Sequence, residues 1–307
     1  MSGSARAGRD PEYDRFGPWV LEISADDPPP PRFVPYLKRH EEPLVSIKVP
    51  RKIARRDATP GMDLYDYVVS LYEKDMVVLK RDSDHVRERT IAYGDVKYVA
   101  TSEELLRGNL HLGIPDSPYD LPYNTVSGDL MRRVVGLVRE RFRPAGGEKT
   151  ASLPRVGELG ELSFYFERLL RDEHAQDSGM RPLAAQADAA LGDLETSSLR
   201  RAFLGVVDKR ILESVHLSDG HDLWVIDRGQ PYAYRWQTTY GRREVIVPLA
   251  NISGVRWDDE PTEGDTTSTL TVSTRAGDRS WVFTTDNESL APYARWLDSL
   301  PLPTRRG

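Results

Sequence analysis

Asp75-Met-Val-Val-Leu-Lys-Arg81 and Asp222-Leu-Trp-Val-Ile-Asp-Arg228 are two versions of one segment. Each opens on aspartate, closes on arginine and places β-branched and apolar residues between, the composition of a strand. The correspondence extends outward from it. Ile91–Val99 is answered by Val247–Val255, Leu110-His111-Leu112 by Leu270-Thr271-Val272, and Tyr123-Asn124-Thr125 by Phe283-Thr284-Thr285. The offset between copies grows from 147 to 156 to 160 and then holds, so that Leu130 meets Leu290. All the slippage falls between strand candidates. Residues 64–142 and 207–300 therefore read as one duplicated pattern, a run of short strands closed by a single amphipathic helix.

Alternation and turn residues place strands of the first copy at 44–49, 64–72, 76–80, 90–93, 96–100 and 110–114. The stretch 115–122 holds three prolines and is expected as loop. Ser127 is expected to cap a helix whose apolar face carries Leu130, Val134, Leu137 and Val138. In the second copy a hairpin turns at Ser218-Asp219-Gly220, strands follow at 232–236, 244–247, 252–257, 269–273 and 280–284, and 287–300 closes it as a helix. Between the copies, 158–174 reads as a helix with Leu159, Leu162, Phe166, Leu169 and Leu170 on one face. The Ala-rich 183–191 fits a helix or a buried strand, and 196–204 fits a short helix. The expected division is an extension over 1–40, a first domain over 41–143, a linker with connecting helices over 144–198 and a second domain over 199–307.

Composition bounds the class. With 307 residues, 39% hydrophobic and 29% charged, the chain has room for two packed domains. It has no cysteine, which excludes disulfides, thiolate metal sites and cysteine nucleophiles. No apolar run approaches the ~18 residues of a membrane span, and Met1–Asp10 lacks the apolar segment of a signal peptide. A cytoplasmic placement is expected, peripheral to the membrane where the chain meets one. The net charge of −6 is uneven: 1–146 carries 23 basic and 23 acidic residues, 147–307 carries 19 and 25. That balance argues against nucleic acid as the partner.

A run of about seven short strands closed by one C-terminal helix resembles the pleckstrin-homology-like fold, in its bacterial tandem form. The resemblance implies a mainly-β α+β chain with two partly open barrels, each plugged by its helix and joined by a helical connector. Leu130, Val134 and Leu137 would form the first plug, and Leu290, Tyr293 and Leu297 the second. It also implies binding of lipid headgroups, peptides or proteins more often than catalysis.

Lys48-Val-Pro-Arg51-Lys52-Ile-Ala-Arg55-Arg56 puts five cations into nine residues. Lys48, Arg51, Lys52, Arg55 and Arg56 are the candidate anion- or lipid-binding residues, since guanidinium forks make paired hydrogen bonds to phosphate. The competing reading is a solvated loop. His216, Asp219, His221 and Asp222 have metal-ligand chemistry, but Asp-Gly there is first a turn signal. The acidic run 258–265 lacks the ligand spacing of a calcium loop. No catalytic residues, metal site or cofactor are expected. The expected function is a non-catalytic binding or scaffold protein recognising a protein partner through a sheet edge or the groove beside a closing helix. A peripheral protein holding an anionic membrane surface through 48–56 is the alternative, and a metal-dependent hydrolase using 258–265 is the third reading. Oligomeric state is left open.

Overall fold

The computed structural model describes residues 11–37, 42–143, 153–154, 159, 161–176, 179–191, 209–234, 237–262 and 265–302. It is an α+β chain with four open antiparallel sheets among the described strands. The short helix expected at 196–204 and the start of the linker, 144–152, lie outside the described residues. Two compact units emerge: the residues up to Asp95 with Pro122–Arg141, and Val96–Leu121 with the residues from Phe142 onward.

The first unit contains a five-stranded meander of β1 (Leu21–Glu22), β2 (Val45–Pro50), β3 (Tyr65–Leu71), β4 (Asp75–Asp82) and β5 (His85–Ala92), in that order. Its strands bury both faces. Val77 and Leu79 join Phe16, Phe33, Leu64, Tyr65 and Val68 in one cluster, while Met76 and Val78 are buried on the opposite face. The short helices α1 (Pro11–Arg15) and α2 (Val34–Leu37) bring Tyr13, Tyr36 and Leu37 to that first cluster.

The second unit is built on a seven-stranded sheet. Its strands are β6 (Tyr98–Glu104), β7 (Arg107–Gly113), β8 (Tyr119–Asn124), β9 (Arg181–Gln186), β12 (Ser214–Ser218), β13 (Asp222–Asp227) and β15 (Arg242–Pro248), in the order β8-β7-β6-β15-β13-β12-β9. Two three-stranded sheets accompany it. One holds β10 (Ala189–Ala190), β11 (Lys209–Ile211) and β14 (Tyr232–Tyr234); the other holds β16 (Ile252–Thr262), β17 (Asp265–Thr274) and β18 (Gly277–Thr284). Val225, Val245, Val247, Leu270, Val272 and Phe283 form a core with Tyr293, Trp296 and Leu297 of α5 (Leu290–Asp298). On the other face of the sheet, Val215, Leu217 and Ile226 pack on Phe166 and Leu169 of α4 (Phe164–Gln176).

The repeat reappears as strand register. Asp75 pairs with Ala92 as Asp222 pairs with Pro248, and Leu79 with Glu88 as Ile226 with Glu244. Tyr98 faces Gly113 as Gly254 faces Ser273, and Glu103 faces Gly108 as Asp259 faces Ser268. Each pair is displaced by the offsets read from the sequence. β6 of the first copy is hydrogen-bonded to β15 of the second, with Val245 opposite Ala100. That ladder places β6 and β7 in the second unit.

Several local expectations are corrected. Residues 119–122 are strand, not loop, because Pro122 sits in β8 at the sheet's edge, where a missing N–H costs nothing. Ser127 does not cap the helix α3 (Gly128–Phe142). Its buried Oγ accepts the Val20 N–H at 2.7 Å, while Asn124 Oδ1 accepts from the Val126 N–H at 3.0 Å. The ambiguous 183–191 is strand, divided between β9 and β10. The acidic run falls largely in strand, since β16 extends to Thr262 and β17 begins at Asp265. Among the described residues no helix is long and apolar enough to cross a membrane.

Candidate binding cleft

The β6–β7 hairpin turns on two residues, Leu105 and Leu106. A two-residue hairpin turn wants positive φ and is normally filled by Asn-Gly or Asp-Gly. Here Leu105 takes a φ of 52° with a side chain that disfavours it, and neither leucine is buried: Leu105 is 69% exposed and Leu106 63%. Folding alone does not select this pair.

Behind the turn lies a cleft of about 350 Å³, lined by Ser102, Glu103, Glu104, Arg107 and Asn109 on one side and by 228–230 and 237–242 on the other. Tyr240, 63% exposed, stands on the second wall. Gly241 is required there, since a Cβ would lie 2.7 Å from the Arg228 carbonyl oxygen. The wall is braced from below. Arg228 donates to Glu213 at 3.0 Å, with its guanidinium 4.8 Å from the ring centre of Tyr165 and 4.9 Å from that of Phe166. Buried Glu213 also accepts from Ser163, at 2.6 Å from N and 2.9 Å from Oγ, and so neutralises the N-terminus of α4. Arg243 grips Asp227 through Nε and Nη2, and Trp281 Nε1 donates to the same carboxylate at 2.9 Å. Arg242 is paired with Glu244. With its inner arginines already neutralised, the cleft offers a polar floor and an apolar rim, which suits a peptide segment better than a bare anion.

Asn109 leads to a second arrangement. It donates to Asp120 at 2.8 Å; Asp120 lies 2.8 Å from His111 Nδ1, and His111 Nε2 lies 2.9 Å from the Tyr98 hydroxyl, which Arg279 also engages. Partial burial pushes the Asp120 carboxyl up, but the hydrogen bonds from His111 and Asn109 outweigh it and hold the group below its usual range. Carboxylate, imidazole and phenol in series resemble a proton relay. Tyr98 is 2% exposed, however, so the series ends inside the protein and not at a substrate.

The five candidate cations are not presented together. Lys48 is 2% exposed, with Nζ 2.9 Å from Asp27, 3.0 Å from the Pro28 carbonyl and 4.8 Å above the Tyr65 ring. Arg51 donates to the Asp63 carbonyl at 2.9 Å. Arg55 donates to the carbonyls of Tyr13 and Phe16 and lies over the Tyr13 ring. Lys52 and Arg56 are exposed, with Arg56 3.8 Å from Asp57. Nor do the candidate metal ligands converge. His216 is buried among aromatic rings, while Asp219 and Asp222 receive Arg143 at 2.5 Å each, and Asp219 also accepts the backbone N–H groups of His221 and Asp222. Among the described residues there is no group of three metal-ligating side chains.

The cleft was missed in the sequence because its signal is an absence. Glu-Glu-Leu-Leu-Arg-Gly joins two strands without the usual turn residues, and only the missing Asn or Gly at 105–106 marks it. No family model matches the chain, and no curated protein matches its sequence.

Proposed function

We propose that the chain is a non-catalytic binding protein built from two pleckstrin-homology-like modules, and that it takes a protein partner at the β6–β7 tip and the cleft behind it. The repeated strand register and the helix after each last strand support the module reading. The observation that carries the functional one is the Leu105-Leu106 turn, with Leu105 strained and both leucines exposed where folding prefers Asn-Gly. The partner would set an apolar side chain on Leu105, Leu106 and Tyr240 and run polar backbone across the cleft floor.

The test is Leu105→Asn/Leu106→Gly. Relief of the left-handed leucine is expected to stabilise the protein by roughly 1 kcal/mol, or about 2 °C in melting temperature, while removing the anchor. Affinity capture with the wild type and the variant, compared band by band, should show a protein retained by the first and lost by the second. Identical captures, or none with the wild type, would overturn the reading. The membrane alternative needs outward cations, and three of the five in 48–56 are held by the chain itself. Anionic vesicles are therefore expected to retain little protein. Salt-sensitive retention that disappears in Lys52→Ala/Arg56→Ala would favour the lipid reading instead.

A further inference from the structure

Alternation along β18 puts residues 279, 281 and 283 on one face. Trp281 and Phe283 enter the core from that face, and Val272, opposite Arg279 on β17, is buried in the same core. Arg279 therefore holds a position whose neighbours are apolar, and it holds it without an acid. Among the described residues, the other half-buried arginines of the second unit each meet a carboxylate: Arg143 with Asp222, Arg210 with Asp188, Arg228 with Glu213, Arg242 with Glu244 and Arg243 with Asp227. Arg279 donates only to the Asp278 carbonyl, at 3.2 Å, and to the Tyr98 hydroxyl, with its guanidinium 4.2 Å from the centre of the Tyr98 ring. Burial pulls this guanidinium below its usual range, and no carboxylate offsets the effect. A half-buried cation left in that state works against folding.

The arginine is nonetheless held in one orientation. A guanidinium only donates, so the Tyr98 oxygen accepts from it and directs its own proton to His111 Nε2, 2.9 Å away. His111 then carries its proton on Nδ1 and donates to Asp120 at 2.8 Å, and Asn109 donates to the same carboxylate oxygen at 2.8 Å. Gly113, opposite Tyr98 in the β6–β7 ladder, makes room for the ring, since a Cβ there would lie 2.1 Å from it. Tyr98, His111, Asp120 and Asn109 thus orient a side chain that adds no ion pair to the fold. We infer that Arg279 anchors a ligand site and that its ligand is a carboxylate. The two engaged N–H groups leave Nε and the remaining Nη hydrogens for the paired hydrogen bonds that a carboxylate accepts. Arg279 is half-buried and not enclosed, so a small acid can reach it. One guanidinium supplies one positive charge, which a carboxylate balances, whereas a phosphate dianion is normally met by a cluster of arginines. The series from Asp120 to Tyr98 then needs no proton transfer to be useful, because it aims a cation. The site is separate from the Leu105 tip and fills whether or not a partner sits there.

Titration of the full chain with sodium acetate, against sodium chloride at equal ionic strength, tests it. The readout is the Arg279 Nε–Hε NMR signal, which Arg279→Met identifies by its disappearance. Acetate is expected to shift that signal along a saturating curve in the millimolar range, and chloride is not. Acetate should also raise the melting temperature of the wild type more than that of Arg279→Met. Without ligand, Arg279→Met should melt no lower than the wild type, since its side chain joins Trp281 and Phe283 in place of an unpaired cation. Tyr98→Phe releases the guanidinium from its orientation and should weaken acetate binding about tenfold. Acetylated tetra-alanine with a free C-terminal carboxylate separates the sources of the ligand: tighter binding than acetate assigns a peptide terminus, and equal binding a free small acid. An unshifted signal, the same shift in chloride, an equal acetate-dependent rise in Arg279→Met, or inorganic phosphate binding more tightly than acetate would each overturn the assignment. Should Arg279→Met fail to fold, Arg279→Lys identifies the signal instead, and the wild-type titration decides alone.

Discussion

Two buried polar side chains set the behaviour of single residues. His216 is enclosed by the rings of Trp281, Phe283 and Tyr293, whose centres lie 5.1 to 5.3 Å away, with the Tyr293 hydroxyl 2.9 Å from Nδ1. Burial pushes its imidazole down to about 3. The folded protein therefore keeps His216 neutral while the unfolded chain takes up a proton near pH 6.5. Stability is full above that value and falls with pH by roughly 1.4 kcal/mol per unit until the folded group titrates. Urea unfolding between pH 7 and 5, above most carboxylate titration, should show this slope, and His216→Gln should flatten it; a variant with the same slope would assign it elsewhere. Lys48 makes the second case. Lys48→Met leaves Asp27 with only Arg15, 3.5 Å away, and should cost roughly 2 kcal/mol, less than a fully buried pair because Asp27 keeps some solvent. Lys52→Ala and Arg56→Ala should each change unfolding free energy by under about 0.5 kcal/mol. The sequence grouped these cations by proximity, yet only Lys48 lies in β2, which ends at Pro50, and Arg55–Asp57 form a 3-10 turn, so the five do not share one face. Nothing in the run announces that Lys48 turns inward to a carboxylate twenty-one residues away.

At the level of elements, periodicity was enough wherever one face of a strand or helix meets a core. Val77 and Leu79, or Tyr293, Trp296 and Leu297, are apolar at the period of the element they occupy. It failed where the deciding contact is distant in sequence. Ser127 looks like a cap from its neighbours, and its hydroxyl is instead committed to the backbone of Val20, 107 positions away. Pro122 looks like a breaker until β8 proves to be an edge strand. Gly241 belongs to the same class, a small residue whose necessity appears only when Arg228 lies beside it. The obstacle to a side chain there is backbone and not a movable tip. Gly241→Ala should therefore destabilise the protein by about 1–3 kcal/mol and loosen the cleft wall, seen as faster amide exchange at 237–242. Full protection in the variant would show that the wall is braced by the Arg228–Glu213 pair alone.

For the whole molecule, the duplication was legible in the sequence and the assembly of its halves was not. Offsets of 147, 156 and 160 predict strand register closely, because pairing within a copy depends on residues near in sequence. The β15–β6 ladder joins residues about 145 positions apart and leaves no periodic trace. Its consequence is that Val96–Leu121 of the first copy is built into the unit that holds the second. A fragment covering 144–307 would retain the second copy of the repeat and lose β6 and β7, leaving β15, still paired with β13, as an exposed edge strand. It is expected to melt below the full chain and to aggregate through that exposed edge. A synthetic peptide spanning 96–114, added in trans, should restore the ladder by strand addition, raise the fragment's melting temperature and suppress its aggregation. A scrambled peptide should do neither. A fragment that melts with the intact protein and ignores the peptide would mean that the second copy is stable without the strands it borrows, and that the long sheet is a consequence of its fold and not a support for it.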